Sequence, residues 1–87
     1  MSIKLYSRPD CLYCLRAKNY LASYGVAFDE EMLGVDFTSQ FIHENYPYAK
    51  TYPVVVVDGF YIGGSDHLRH YLLEHFSPPS EKLLLED

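Results

Sequence analysis

The chain has 87 residues and a mass of 10.1 kDa, which is enough for one domain, because typical domains contain roughly 50–200 residues. Hydrophobic residues make up 48% of it, enough for a single core. The formal net charge of −5 argues against nucleic-acid binding, which normally needs a basic patch. No apolar run approaches the roughly 18 residues of a membrane span, and the polar N-terminus does not resemble a secretory signal. We therefore expect a cytoplasmic protein that binds neither nucleic acid nor membranes.

The first half of the chain predicts two strands that alternate with two helices. Residues 3–7 predict a strand, and apolar residues at helical spacing predict a helix over 12–24 that a glycine then ends. A second strand is expected over 26–32, where acidic residues indicate an exposed edge. Asp36 is expected to cap a second helix that runs through Tyr46. The first strand, helix and second strand should form a parallel β-α-β unit.

The second half predicts an antiparallel hairpin and a final helix. The four consecutive valines Val54–Val57 are typical of a strand that is buried on both faces. Asp58-Gly59 is the strongest two-residue hairpin signal, so residues 60–62 should return antiparallel to this strand. Asp66 is then expected to cap a helix.

The predicted order is therefore β-α-β-α-β-β-α, which describes an α/β fold with helices packed against a sheet. No internal repeat, linker or low-complexity segment divides the chain. We assign residues 1–77 to the domain and residues 78–87 to a short C-terminal tail. Three consecutive leucines in this tail, residues 83–85, would need a surface to cover.

The only two cysteines form the motif Cys11-Leu12-Tyr13-Cys14. A purely structural disulfide is not expected, because a bridge across so short a loop restricts the unfolded chain little. A structural zinc site is not expected either, because it needs about four ligands. The role that remains for the two cysteines is redox chemistry. The motif lies where a strand leads into a helix, and the N-terminus of a helix stabilises a thiolate. We expect Cys11 to attack a disulfide and the more buried Cys14 to resolve the mixed disulfide that forms.

Three segments, taken in order, resemble the glutaredoxin family. The first is the strand and turn Tyr6-Ser7-Arg8-Pro9-Asp10 with the cysteine motif that follows. The second, Lys50-Thr51-Tyr52-Pro53, is similar to the Thr-Val-Pro loop of that family. The third, Gly63-Gly64-Ser65-Asp66-His67-Leu68, is similar to its Gly-Gly-x-x-Asp-Leu segment. The resemblance covers residues 3–76 and implies a thioredoxin-like fold, with a four-stranded mixed sheet and a cis peptide bond before Pro53.

The resemblance also implies an activity: glutathione-dependent reduction of protein disulfides and glutathione mixed disulfides, with glutathione as co-substrate and no metal. The residues expected to bind glutathione are Arg8, Tyr13, Lys50, Tyr52, Pro53, Gly64, Ser65 and Asp66. The glycyl carboxylate of glutathione is expected to bind Lys50, together with Arg8 and Gln40. The γ-glutamyl end of glutathione is expected to bind at the start of the last helix. Without the resemblance, Pro53 can simply open a strand, and Asp66 can simply cap a helix.

Three positions depart from the family pattern: Leu12 replaces the usual Pro, Tyr52 the usual Val, and His67 the usual Asp. Tyr52 adds a large aromatic side chain near the cysteines, and His67 removes part of the expected glutathione contact. Leu12 keeps two further functions open. One is electron donation to ribonucleotide reductase with recycling by thioredoxin reductase. The second is a [2Fe–2S] cluster shared by two chains through Cys11 and glutathione thiols. We otherwise expect a monomer.

Overall fold

The computed structural model of the protein describes residues 1–76. Their elements are β1 (Ile3–Ser7), α1 (Leu12–Ser23), β2 (Asp29–Met32), α2 (Ser39–Asn45), β3 (Val54–Val57), β4 (Phe60–Gly63) and α3 (Ser65–His75). The predicted order β-α-β-α-β-β-α is confirmed. None of the helices described here is long and apolar enough to cross a bilayer. The proposed tail, residues 78–87 with its three leucines, lies outside the described residues, so the domain boundary stays a prediction.

The four strands form one mixed sheet in the order β2-β1-β3-β4. Strand β1 pairs parallel with β2 and antiparallel with β3, and β3 pairs antiparallel with β4. The β3–β4 connection is the predicted hairpin: Asp58 and Gly59 have φ angles of 50° and 86°, and a tight hairpin turn needs such positive values. Strand β2 is shorter than predicted, because Val26 and Phe28 pack against the core and do not pair with β1.

Hydrophobic side chains are buried on both faces of the sheet. Successive side chains of a strand point to opposite faces, so β1 and β3 contribute to both clusters. The cluster that includes α1 and α3 consists of Ile3, Leu5, Ala17, Leu21, Val55, Val57, Leu68 and Leu72. The cluster on the α2 side consists of Tyr6, Phe37, Ile42, Val54 and Val56. All four valines of β3 are buried, as predicted for a strand covered on both faces.

Two helices begin differently from the prediction. Asp36 does not cap α2; Thr38 does, because its Oγ1 accepts a hydrogen bond from the backbone N–H of Phe41 at 3.2 Å. Asp36 Oδ2 instead accepts from the last backbone N–H of β2 at 2.8 Å and closes the turn there. Asp66 is not the cap of α3 either. Gly64 holds that position, and Asp66 lies in the first turn, where a carboxylate still favours the helix.

The acidic residues of β2 form the predicted edge of the sheet and are paired with lysines. Lys4 Nζ lies 2.8 Å from a carboxylate oxygen of Glu31, and Lys18 Nζ lies 3.1 Å from one of Glu30. The hydrogen bond with Glu31 raises the pKa of Lys4. Both pairs are partly exposed, so each contributes at most about 1 kcal/mol to stability. They attach β2 to β1 and α1.

Candidate active site

The two cysteines lie where β1 leads into α1. Cys11 is the N-cap residue of α1, with extended backbone angles (φ −117°, ψ 108°), and Cys14 lies in the first turn. The two sulfurs are bonded to each other. The backbone N–H of Cys14 donates a hydrogen bond to Cys11 Sγ at 3.1 Å, so this sulfur takes the place of a capping oxygen. The predicted position of Cys11 at the start of the helix is confirmed.

The two sulfurs differ in accessibility. Cys11 is half-buried, whereas Cys14 is only 3% exposed. Cys14, Ala17 and Leu21 are the buried residues of α1 and lie on the helix face toward the core. Cys11 lies at the end of the helix, outside this face. An approaching disulfide therefore meets Cys11 first, and the expected difference in burial is confirmed.

The loop before β3 passes beside Cys11. The peptide bond between Tyr52 and Pro53 is cis, as the family resemblance implies, and Pro53 is buried. The carbonyl oxygen of Tyr52 lies 3.9 Å from Cys11 Sγ. The Tyr52 ring packs against the α2-side cluster, with its centre 6.3 Å from that of Phe37. This packing fixes the position of the loop, and with it the main chain that faces the sulfur.

An open cleft with a volume of about 390 Å³ lies beside this loop. The residues that line it come from α1, the loop before β3, β4 and the start of α3: Tyr13, Tyr48, Lys50, Thr51, Tyr52, Tyr61, Gly64, Ser65, Asp66 and His67. Its volume lies within the range of about 300–1,000 Å³ that is typical of small-molecule sites. The wall combines tyrosine rings with one lysine and one carboxylate.

Six of the eight residues that the resemblance assigned to glutathione line this cleft: Tyr13, Lys50, Tyr52, Gly64, Ser65 and Asp66. The remaining two do not. Pro53 is buried, and the guanidinium of Arg8 is exposed and donates to the carbonyl oxygen of Pro9 at 3.3 Å. Gln40, on α2, is also outside the lining.

Sequence reasoning did not assign Tyr48, Thr51 and Tyr61 to the site. Thr51 lies in the segment Lys50-Thr51-Tyr52-Pro53, so the resemblance of that segment to the family's Thr-Val-Pro loop could have identified Thr51 as a site residue. Tyr48 and Tyr61 have no sequence feature that separates them from the rest of the tyrosines, because their position depends on how the loop before β3 meets β4. Tyr48 is 83% exposed and forms part of the rim.

The start of α3 forms one end of the cleft. The first hydrogen bond of this helix runs from the N–H of Leu68 to the carbonyl oxygen of Gly64, at 3.0 Å. The N–H groups of Ser65, Asp66 and His67 therefore have no partner within the helix. Such free donors at a helix N-terminus favour an anionic group.

Comparison with known proteins agrees with this geometry. The glutaredoxin family model matches residues 3–62. Glutaredoxin 3 of Escherichia coli is 35% identical over 69 residues, which cover 77% of this chain and 81% of that protein. The hybrid peroxiredoxin hyPrx5 of Haemophilus influenzae is 37% identical over 70 residues, which cover 80% of this chain but 29% of that protein. This chain thus spans less than a third of that relative's length.

The fold comparison leads to the same family. The crystal structure of glutaredoxin 1 from Francisella tularensis superimposes with a TM-score of 0.69 and 28% sequence identity. The superposition covers 84% of this chain and 93% of that protein. The sheet order and the three helices are those of the thioredoxin-like fold, as the resemblance implied. The match to the family model, together with this shared fold and the paired cysteines at a helix start, shows that the chain belongs to the glutaredoxin family of thiol-disulfide oxidoreductases.

Proposed function

We propose that the protein uses glutathione to reduce glutathione mixed disulfides and protein disulfides. The observation that carries this proposal is that the accessible sulfur, Cys11, lies beside the loop that lines a cleft with complementary ends. The cleft wall includes the ammonium group of Lys50 and the free N–H groups at the start of α3. Glutathione carries a carboxylate at each end, so both of its ends find a partner in the cleft.

The reaction starts from the reduced pair. The positive end of α1 and the N–H of Cys14 both favour the thiolate of Cys11, which is the form that attacks a disulfide. The Cys11 thiolate attacks the glutathione sulfur of a mixed disulfide. The old S–S bond breaks, the substrate leaves as a thiolate that takes up a proton, and glutathione becomes disulfide-bonded to Cys11.

Two routes then restore the reduced enzyme. For a glutathione mixed disulfide, the thiolate of a second glutathione attacks the glutathione on Cys11, so glutathione disulfide leaves and the Cys11 thiolate returns. For a protein disulfide, Cys11 first attacks one of the two protein sulfurs, so the protein becomes attached to Cys11 and its second sulfur leaves as a thiolate that takes up a proton. Cys14 then attacks the sulfur of Cys11, which releases the reduced protein and forms the Cys11–Cys14 bond. Two further glutathione molecules reduce that bond. The burial of Cys14 limits it to disulfides that are already attached to Cys11.

The lining residues have separate roles in holding glutathione. Lys50 binds the glycyl carboxylate, and the main chain of Tyr52 pairs with the cysteinyl backbone as one rung of a sheet would. Gly64, Ser65 and Asp66, at the start of α3, hold the γ-glutamyl carboxylate. The Tyr13 ring forms part of the cleft wall, and the Arg16 guanidinium lies 5.3 Å from its centre. Arg8 does not line the cleft, so it is not among these groups.

The test is the reduction of a small glutathione mixed disulfide, coupled to the reduction of glutathione disulfide. We expect Cys11→Ser to abolish turnover, because it removes the attacking sulfur. We expect Cys14→Ser to keep this activity and to lose the reduction of protein disulfides. Equal loss of mixed-disulfide reduction in both variants would contradict the separate roles. A cytoplasmic location fits this reaction, because glutathione keeps thiols reduced there.

The similarity to the hybrid peroxiredoxin favours a second candidate function, electron donation to a peroxiredoxin. Peroxide oxidises a reactive cysteine to a sulfenic acid, which condenses with the thiol of glutathione to a mixed disulfide. Cys11 would then reduce this mixed disulfide by the steps described above. The test measures peroxide consumption by a peroxiredoxin and glutathione with and without this protein. No increase in rate on adding the protein would eliminate this candidate.

Electron donation to ribonucleotide reductase and a shared [2Fe–2S] cluster both stay predictions. Turnover driven by thioredoxin reductase, compared with turnover driven by glutathione, tests the first. Anaerobic reconstitution with iron and sulfide, followed by absorption spectroscopy, tests the second. Within residues 1–76, no group of three or more His, Cys, Asp and Glu side chains is arranged to hold a metal ion. The cluster hypothesis takes its ligands from two chains and from glutathione.

A further inference from the structure

We propose that the hydroxyl group of Ser7 becomes the hydrogen-bond partner of the Cys14 sulfur when the Cys11–Cys14 disulfide is reduced, and that it thereby favours the reduced form. Ser7 is a positioning residue in this scheme, because it acts through Cys14 and touches no substrate. The inference concerns the disulfide itself. It therefore goes beyond the proposed function and does not depend on which reductant opens the bond.

Ser7, the last residue of β1, carries a buried hydroxyl group without a partner. Ser7 is 1% exposed. Within residues 1–76, its Oγ is the only buried side-chain oxygen or nitrogen that makes no hydrogen bond. The carbonyl oxygen of the same residue accepts a hydrogen bond from the N–H of Leu33 at 2.8 Å, so the main chain is satisfied. A buried hydroxyl without a partner costs free energy, because it has lost its water and gained nothing in return.

The packing of α1 on β1 places Ser7 opposite Cys14. Ser7 lies two residues after Leu5, so both side chains point to the same face of the sheet. On that face Leu5 packs in one cluster with Ala17, and Cys14 is buried on the same side of α1 as Ala17. Because β1 and β2 are parallel, α1 must run back along β1.

The spacing along the two elements agrees with this placement. The step from Leu5 to Ser7 covers about 7 Å toward the end of β1. The step from Ala17 to Cys14 covers about 5 Å toward the start of α1, in the same direction. The pair that follows Leu5 and Ala17 is therefore Ser7 and Cys14, and the Ser7 hydroxyl points toward the buried side of the cysteine pair.

The neighbouring strand also places Ser7 at the active site. The antiparallel register of β1 and β3 pairs Tyr6 with Val54, so one position further Ser7 comes beside Pro53. Pro53 follows Tyr52, whose carbonyl oxygen lies 3.9 Å from Cys11 Sγ. Ser7 thus lies between the loop that contacts one sulfur and the helix turn that carries the second.

Reduction changes what the Cys14 sulfur can offer this hydroxyl. In the disulfide, Cys14 Sγ is bonded to Cys11 Sγ and carries no proton. Reduction adds two electrons and two protons to the pair, and the sulfurs separate because they are no longer bonded. The Cys14 thiol can then donate a hydrogen bond to Ser7 Oγ, and a Cys14 thiolate can accept one from the hydroxyl. The hydroxyl gains its partner on reduction, so the equilibrium shifts toward the reduced form.

The experiment measures the equilibrium in which reduced thioredoxin passes two electrons and two protons to the Cys11–Cys14 disulfide and itself becomes a disulfide. The wild type is compared with Ser7→Ala, Ser7→Thr and Ser23→Ala. Ser7→Ala removes only the oxygen without a partner, so it should fold, and Ser7→Thr keeps a hydroxyl. Ser23→Ala is the matched control: Ser23 is exposed at the far end of α1, where its Oγ donates to the carbonyl oxygen of Tyr20 at 2.8 Å.

Ser7→Ala should lower the equilibrium constant for reduction by about threefold to tenfold, the effect of one hydrogen bond. Ser7→Thr and Ser23→Ala should stay within about twofold of the wild type. Urea unfolding of both redox forms supplies the second measurement. Ser7→Ala should weaken the reduced form relative to the oxidised form by the same factor, because the two equilibria are linked. A merely structural role of the hydroxyl would change both forms alike and leave the redox equilibrium unchanged.

Two outcomes would overturn the inference. One is a folded Ser7→Ala variant whose equilibrium constant falls by less than about threefold, or rises. The second is a Ser7→Thr variant whose equilibrium constant falls as far as that of Ser7→Ala, because the hydroxyl would then not be responsible. Failure of the proposed function looks different: it would appear as a lack of turnover with glutathione, which takes no part in the equilibrium with thioredoxin.

Discussion

Replacement of Gly63 by Ala tests whether the imidazole of His67 fills the space beside the end of β4. The φ angle of 131° at Gly63 is one that side-chain-bearing residues rarely adopt. The added methyl group would also lie 2.5 Å from two atoms of the imidazole, far inside van der Waals contact. The substitution should therefore strain the backbone and displace the ring from the cleft wall.

The two effects have separable magnitudes. A residue held in such a backbone conformation costs about 1–3 kcal/mol, and an extra methyl group in a packed site costs about 1–3 kcal/mol. Their sum, about 2–6 kcal/mol, is a large part of the 5–15 kcal/mol or so by which small domains are stable. Gly34→Ala is the matched control. Gly34 also has a positive φ angle, 86°, but a Cβ atom there would have no neighbour within 4 Å, so it should show the backbone cost alone.

The free energy of unfolding in urea is measured for the wild type, Gly63→Ala, His67→Ala and the double variant. We expect Gly63→Ala to cost about 1–3 kcal/mol less in the His67→Ala background, because the ring that the methyl group strikes is absent. The remaining cost should still exceed that of Gly34→Ala, because the Cβ atom of residue 67 stays in this background at 2.8 Å from the added atom. If Gly63→Ala costs the same with and without the imidazole, the ring does not lie against Gly63, and its place in the cleft wall is wrong.

Two further substitutions test the cleft and the core. Lys50→Gln should raise KM for glutathione mixed disulfides by about threefold to tenfold, because it removes a charge-assisted hydrogen bond. The difference in KM from the wild type should shrink at high salt. A KM equal to that of the wild type would show that Lys50 does not bind the substrate. Burial raises the pKa of Tyr6 above its usual value of 10.0. The unfolded chain therefore loses this proton first, and stability should fall as pH rises above about 10. Tyr6→Phe should weaken this fall in urea unfolding at alkaline pH, and an unchanged pH dependence would contradict the assignment.

The elements that carry the cysteines were predictable from local sequence. Strand β1 and helix α1 have the spacing of apolar residues that their folded positions require, and the cysteine motif lies at their junction. Strand β3 was equally clear, because four valines in a row suit a strand that is buried on both faces. These signals lie within a few residues of each other, so no distant part of the chain alters them.

The parts that could not be predicted depend on which of several possible partners a residue contacts in the folded chain. Asp36 and Thr38 are both good capping residues, and the choice of Thr38 follows from the turn after β2 that occupies the Asp36 carboxylate. The residues of the cleft wall could not be predicted for the same reason. Arg8 is close to Cys11 in sequence but lies outside the cleft, whereas Tyr61 reaches it from a hairpin fifty residues away from Cys11.

The proposed chemistry requires Cys11 to be a thiolate near neutral pH. Its pKa is measured most simply in the reduced Cys14→Ser variant, where Cys11 is the only thiol, by following the ultraviolet absorbance of the thiolate as pH changes. The N–H of residue 14 and the end of α1 remain in this variant. We expect a pKa below about 7.5, the upper limit for thiols at helix N-termini. A pKa at or above about 8.5, the value of a free cysteine, would contradict stabilisation of the sulfur by the helix and the mechanism that follows from it.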